Sequence, residues 1–390
     1  MEATQQPEIT TLPDDPHLRP ALLVGLVTLI VTTLLCLPLL LNHKDGVLAF
    51  AHIGTRFSEG IEGGSKGYDG QFAYFIARDG AAAADLIDGP SLRYQRIIYP
   101  VLARALAFGN ADLVAWMLLL INLVAHSAGA GMLAYILRGW GAPAAGALIY
   151  GFWLGNLFAI RFDLNEPLCF ALALAAIIAY QHQRYRWTIF LLILSTLTKE
   201  LGAIFAAGLA LHAFWQRRFG WSILIFSGPV LAFLTWWGIM RLWFGTLPTR
   251  YPAAKLHLLP FEGMFSLVND HPRLAEIDQT TLNLQFGLLV FFMGLPTLVF
   301  LVAALGQWFK RRDLPLAVAL TLPAAGFVMT MPDVSWHDQV AVYRVGTPVV
   351  IAGILFTGYT ARERLKWLAA WWLPAALIIF LIPGLWSGGT

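Results

Sequence analysis

The segment Tyr68-Asp69-Gly70-Gln71 sets a carboxylate between an aromatic ring and a glycine, and two arginines, Arg93 and Arg96, follow further along the chain. Residues three apart share one face of a helix, so the two guanidiniums can act together. Each stays charged and can grip a phosphate through parallel hydrogen bonds. A carboxylate beside such a clamp suits phosphate-linked glycosyl transfer. The acid deprotonates an acceptor hydroxyl while the cations hold the leaving phosphate. Two plainer readings compete. Asp69 precedes the helical pattern "GQFAYFIA" and can simply complement a helix dipole. The arginines can snorkel to lipid headgroups.

Three further groups of polar residues stand among apolar runs. "RFDLNEP" (161–167) supplies Asp163 and Glu166 just before a helical pattern. Glu166 reads either as a substrate contact or as a capping residue that complements the helix start. "LTKE" (197–200) places Lys199 and Glu200 inside an otherwise greasy stretch, either as ligands or as a mutual ion pair. "DVSWHDQVAVYR" (333–344) adds His337 and Arg344, as one wall of a site or as a solvated loop.

The elements that must position these groups are membrane helices. Of 390 residues, 58% are hydrophobic and only 13% are charged, against about a quarter charged in a soluble domain. The first run, "ALLVGLVTLIVTTLLCLPLLL" (21–41), carries no charge and meets the roughly 20 residues needed to cross a bilayer. The acidic stretch before it is unlike the basic start of a cleavable signal, so the run reads as a retained span. Later runs fall near 112–137, 141–160, 166–181, 187–214, 221–244, 284–306, 313–331, 340–358 and 365–385. Hydrocarbon forces each to satisfy its own backbone hydrogen bonds as helix. Cys36 and Cys169 both fall in apolar segments and imply neither a disulfide framework nor zinc. No His/carboxylate cluster has metal-ligand spacing. A net charge of +3 gives no footprint for nucleic acid.

The short basic connections set the orientation. "LRGW" (137–140), "HQRYRW" (182–187), "WQRRFG" (215–220), "FKRRD" (309–313) and "ARERLKW" (361–367) all belong in the cytoplasm by the positive-inside rule. A single helix over 187–214 would put two of them on opposite sides and bury Lys199 and Glu200 mid-membrane. A hairpin with "TKE" at its tip removes both conflicts. The expectation is an all-α, polytopic bundle of about eleven spans: a cytoplasmic tail (1–20) and one transmembrane domain (21–390). The long outer loop 42–111 then carries interfacial helices and Asp69. Nearly every unusual polar group gathers on the outer face.

At this point the chain resembles the GT-C superfamily of integral-membrane glycosyltransferases. The resemblance rests on "YDGQFAYFIARD", "LRYQRIIYPVLARAL", "NEPLCFALALAA" and "LLILSTLTKELGAI" and covers roughly residues 20–215. It is narrower toward bacterial members with a YDGQ signature and an RYQRI element. The resemblance implies a polyprenyl-phosphate-linked sugar as donor and a glycan, lipid or protein as acceptor, beside the membrane lipids. It implies the bacterial cytoplasmic membrane, with the active side facing the periplasm or exterior. Asp69 becomes the candidate base. Tyr68, Gln71, Arg93, Gln95, Arg96, Glu166, Lys199, Glu200, His337 and Arg344 become candidate substrate contacts, and Asp163 or Glu166 an additional acid. No cofactor is implied beyond the co-substrate. The first loop reads "YDG" rather than an aspartate pair, which speaks against a metal-bridged mechanism while leaving a divalent ion open. The competing expectation is a transporter or flippase of a lipid-linked sugar, which would show discontinuous helices and a repeated hydropathy pattern.

Overall fold

A computed structural model describes residues 15–251, 255–269, 278–381 and 385–386. Every regular element among them is helical. The main elements used below are α1 (Leu18–Asn42), α2 (Gly70–Asp79), α3 (Pro90–Tyr94), α4 (Ile98–Leu106), α5 (Ala111–Gly139), α6 (Leu154–Arg161), α7 (Glu166–Gln181), α8 (Tyr185–Thr198), α9 (Gly202–Trp215) and α10 (Phe219–Phe244). Most of the expected tail, residues 1–14, lies outside the described residues, and α1 starts at Leu18, slightly before the expected boundary.

Among the described residues four helices are long and apolar enough to cross a membrane: α1, α5, α10 and Gln279–Arg311. The number rises to six if two bent pairs each count as one span. These pairs are Ala144–Gly151 with α6, bent by 49°, and Gln339–Val345 with Thr347–Thr360, bent by 40°. Length thus qualifies fewer helices than the eleven expected spans, because the chain cuts several apolar runs into pieces. The run at 340–358 breaks at Gly346, where a β-carbon would lie 2.0 Å from Met293 Cε. Four more apolar helices, α7, α8, α9 and Leu316–Met329, have 14 to 16 residues. At about 1.5 Å per residue they reach roughly 21–24 Å, short of a ~30 Å hydrocarbon layer.

The "TKE" segment does break its run, between Thr198 and Gly202. The chain reverses there: a β-carbon on Gly202 would stand 2.5 Å from Ser195 Oγ, seven residues earlier. The connections at the opposite ends also come together. Tyr180, at the end of α7, packs on Tyr185 at 5.6 Å and has its Oη 2.7 Å from His212 Nδ1 on α9, while Tyr185 stacks on Trp221 of α10 at 4.8 Å. "HQRYRW" and "WQRRFG" therefore share one end of the bundle. The remaining basic connections are tied into the same arrangement, through Trp215 against Trp308 at 5.8 Å and Arg362 donating to the Gly141 carbonyl at 3.0 Å.

The other end of α7, α8 and α9 carries the polar residues. The loop after α1 folds over it as a set of short helices, among them α2, α3 and α4. Gly70 lets α2 start directly on the turn before α7, since a β-carbon there would lie 1.9 Å from the Phe162 carbonyl oxygen. This contact brings Asp69 to the mouth of the bundle.

Candidate functional site

Asp69 occupies the position before α2, yet its carboxylate makes no capping hydrogen bond. It turns instead to two guanidiniums from distant parts of the chain. Oδ1 accepts from Arg93 Nη1 at 2.9 Å, and Oδ2 accepts from Arg344 Nη2 at 3.0 Å. Burial alone would push its pKa up. The charges of Arg93 and Arg344, aided by Arg96 and Lys199, outweigh that and hold it well below the usual carboxylate range. A quarter of the side chain, 26%, remains accessible.

Arg93 lies on α3, which Pro90 starts, with its guanidinium 4.2 Å from the centre of the Phe72 ring. Its other edge is held by both oxygens of Asp88 at 2.8 Å. Arg96 grips Glu200 with two bonds of 3.1 and 2.7 Å. Behind them, Glu166 is fully buried, and one of its oxygens meets both Arg344 Nη1 at 2.5 Å and Lys199 Nζ at 2.7 Å. Lys199 and Glu200 thus reach different partners rather than each other. The ion-pair reading of "TKE" is replaced by one in which the hairpin tip feeds two separate arms of a network.

Tyr68 Oη donates to Asp338 Oδ2 at 2.6 Å, and its ring packs against Phe162 and beneath Arg344. The tertiary structure therefore brings together Tyr68, Asp69, Arg93, Arg96, Glu166, Lys199, Glu200 and Arg344. Three expected contacts stand elsewhere. Gln71 is buried and fastens the preceding loop, accepting from the Gly54 amide and donating to the Lys66 carbonyl. Gln95 accepts from Trp237 Nε1 at 3.2 Å. His337 meets Ser266 Oγ at 2.8 Å, beside Asp333 and His257.

A cavity of about 30 Å³ opens among Asp69, Phe72, Arg93, Arg96, Asp163 and Arg344. That is room for a few waters, far less than a sugar phosphate needs. Asp163 sits in the left-handed region, φ 47°, fully buried, and neither of its oxygens has a hydrogen-bond partner among the described residues. Burial pushes its pKa well above the carboxylate range, only partly offset by Asn122 and Arg161. Asp88, which sequence reasoning passed over, stands five residues before Arg93; the only available signal was an acidic residue just ahead of a Gly-Pro helix start.

Each of the four cations is matched to a carboxylate, but the matches differ in depth. Asp88 and Glu200 are 38% and 37% exposed, whereas Glu166, Lys199 and Arg344 are almost wholly buried. Exposed pairs are worth about 0–1 kcal/mol, while breaking a buried one costs about 3–5 kcal/mol. An incoming anion would therefore displace Asp88 or Glu200 and leave the inner pairs standing. Among the described residues no group of His, Cys, Asp and Glu is arranged to hold a metal ion. Set against protein-family profiles, curated proteins and solved structures, the chain matches none.

Proposed function

We propose that this protein is a membrane glycosyltransferase of GT-C type that moves a sugar from a polyprenyl-phosphate donor to an acceptor at the outer face. The observation that carries this reading is the ionised Asp69 held between Arg93 and Arg344 on the wall of a cavity, with Arg96 beside it. Each carboxylate oxygen has a second lone pair, so the arginines leave Asp69 able to accept a proton from a hydroxyl. Arg93 and Arg96 exchange Asp88 and Glu200 for the donor phosphate. Glu166, Lys199 and Arg344 act as buried support that fixes the carboxylate.

On this reading the four short helices and the segment following Leu365 are the remaining spans, completing about eleven in a locally thinned bilayer. The basic connections face the cytoplasm and the ionic cluster faces outward.

A second reading, transport of a lipid-linked sugar, gains one observation. The two bent helix pairs cross at their breaks, where Trp153 Nε1 donates to the Tyr343 carbonyl at 3.0 Å. Paired discontinuous helices are typical of carriers. Here the second break also delivers Arg344 to Asp69, which explains it within a transferase.

The test is sugar transfer by purified protein from a polyprenyl-phosphate donor to a cell-envelope acceptor extract. Asp69→Asn keeps the side chain's shape but offers one acceptor oxygen to the two arginines and cannot take a proton, so turnover should fall by roughly 10²–10⁴-fold while the donor is still bound. Asp69→Glu should recover only part of the rate, because its carboxylate is displaced by about a bond length. An Asn variant as fast as wild type removes Asp69 from the chemistry. Movement of intact lipid-linked sugar across vesicles without transfer would favour the carrier.

A further inference from the structure

A second space, much larger than the cavity beside Asp69, lies away from the ionic cluster. It is a groove of about 1250 Å³ between α1 on one side and α7 and α8 on the other, with α5 as its floor. Its origin is a packing asymmetry. Gly25 and Gly131 let α1 lie close on α5, since a β-carbon on either would come within 3.1 Å of the other helix's backbone. Such small-residue contacts draw membrane helices together. α1 is thereby held to α5, and a gap remains toward α7 and α8. Leu22, Leu26, Ala128, Met132 and Ile178 line it with apolar surface.

The mouth of the groove has a different character. Arg184, His182, Asp15 and Tyr135 stand there, at the basic end of the bundle. Asp15 is already engaged, accepting from Tyr135 Oη at 2.8 Å and from the His17 amide at 2.9 Å. Arg184 is exposed and has no carboxylate within ion-pair distance among the described residues. Arg19, Arg138 and Arg186 lie within a turn of lining residues, and the Arg138 Nε atom is buried without a hydrogen-bond partner among the described residues. An apolar trough ending in unpaired cations is complementary to a lipid with an anionic headgroup.

We propose that this groove is a binding site for an anionic phospholipid, its acyl chains along α1 and its phosphate on Arg184 and His182. The nearest α7 lining residue, Ala175, stands nine residues from Glu166, about 13 Å along the helix. The site is thus distinct from the ionic cluster and stands whether or not the transferase reading holds.

The experiment is native mass spectrometry of detergent-purified, full-length protein given equimolar phosphatidylglycerol and phosphatidylcholine with identical chains. One unpaired arginine near the surface predicts roughly fivefold more retained phosphatidylglycerol. Arg184→Gln should cut the preference for phosphatidylglycerol by several-fold while total retention is kept. Ala179→Trp fills the groove and should reduce retention of both. Equal retention by the wild-type protein, or a preference unchanged in Arg184→Gln, overturns the proposal. So does displacement of phosphatidylglycerol by equimolar polyprenyl phosphate, which would make the groove a tail site for that lipid. Should Ala179→Trp fail to fold, the wild-type competition and Arg184→Gln still decide.

Discussion

Arg344 and Asp69 lie 275 residues apart in sequence and are joined at 3.0 Å, and the same guanidinium reaches Glu166 with its other terminal nitrogen. One side chain thus ties the first loop to the start of α7 and to a broken helix near the C-terminus. With Arg93 on its other oxygen, Asp69 is an anion whose protonation state is set by two cations.

A pH dependence follows from the lowered pKa of Asp69. A depressed pKa means the ion pairs stabilise the fold above the unfolded carboxylate value, about 3.9, and are lost as pH falls through the folded value. The carboxylate thus stays ionised throughout the working range, and if it is the base of the proposed transfer, kcat/KM should show no acid limb from Asp69 above about pH 4. Arg344→Gln removes one cation and should move that limb upward. A wild-type acid limb near pH 5–6 that stays in place in Arg344→Gln would assign the titration to another group.

If the proposed transfer holds, the two outer pairs compete with the donor. Glu200→Gln frees Arg96 of a charged partner and should lower KM for the donor up to about fivefold, the worth of an exposed pair. Arg93→Lys does the opposite, since an ammonium cannot bridge Asp69 and a phosphate with a planar fork. Donor saturation curves for both variants test this. If Arg93→Lys matches wild type across donor concentrations, the guanidinium fork has no role in binding.

The buried position of the inner pair makes it expected to matter for folding. Lys199→Met leaves Glu166 fully buried with Arg344 as its remaining charged partner, and should destabilise the protein by about 3–5 kcal/mol. Lys199→Met combined with Glu166→Leu removes both charges and should cost less than the single change. Thermal unfolding in detergent compares them. A single variant as stable as wild type would show Lys199 to be dispensable for folding.

Cysteines placed at the exposed positions Arg186 and Gln216 should react with a membrane-impermeant reagent from the same side, since Tyr180, packed on Tyr185, also reaches His212. A cysteine at Glu200 should react only from the other side. Labelling of positions 186 and 216 from opposite faces would undo the hairpin and reassign the "TKE" group.

Much of the helical architecture was legible because it depends on local chemistry. Apolar runs must be helical in hydrocarbon, and Lys199 and Glu200 cannot sit cheaply in the middle of one, so the break after Thr198 follows from the residues alone. Membership of the ionic cluster was legible only as residue types on a common side. Arg344 meets Asp69 where the helix before Gly346 packs against the first loop, with Met293 close against that glycine, and these are contacts between residues far apart in sequence. Gln71 and Gln95 show the converse. They stand beside the right neighbours in sequence, yet their amides serve the Gly54–Lys66 loop and Trp237. Sequence determines which groups are costly to leave unpaired; only tertiary packing decides which partner each one meets, because every partner in this cluster but Asp88 comes from another segment of the chain.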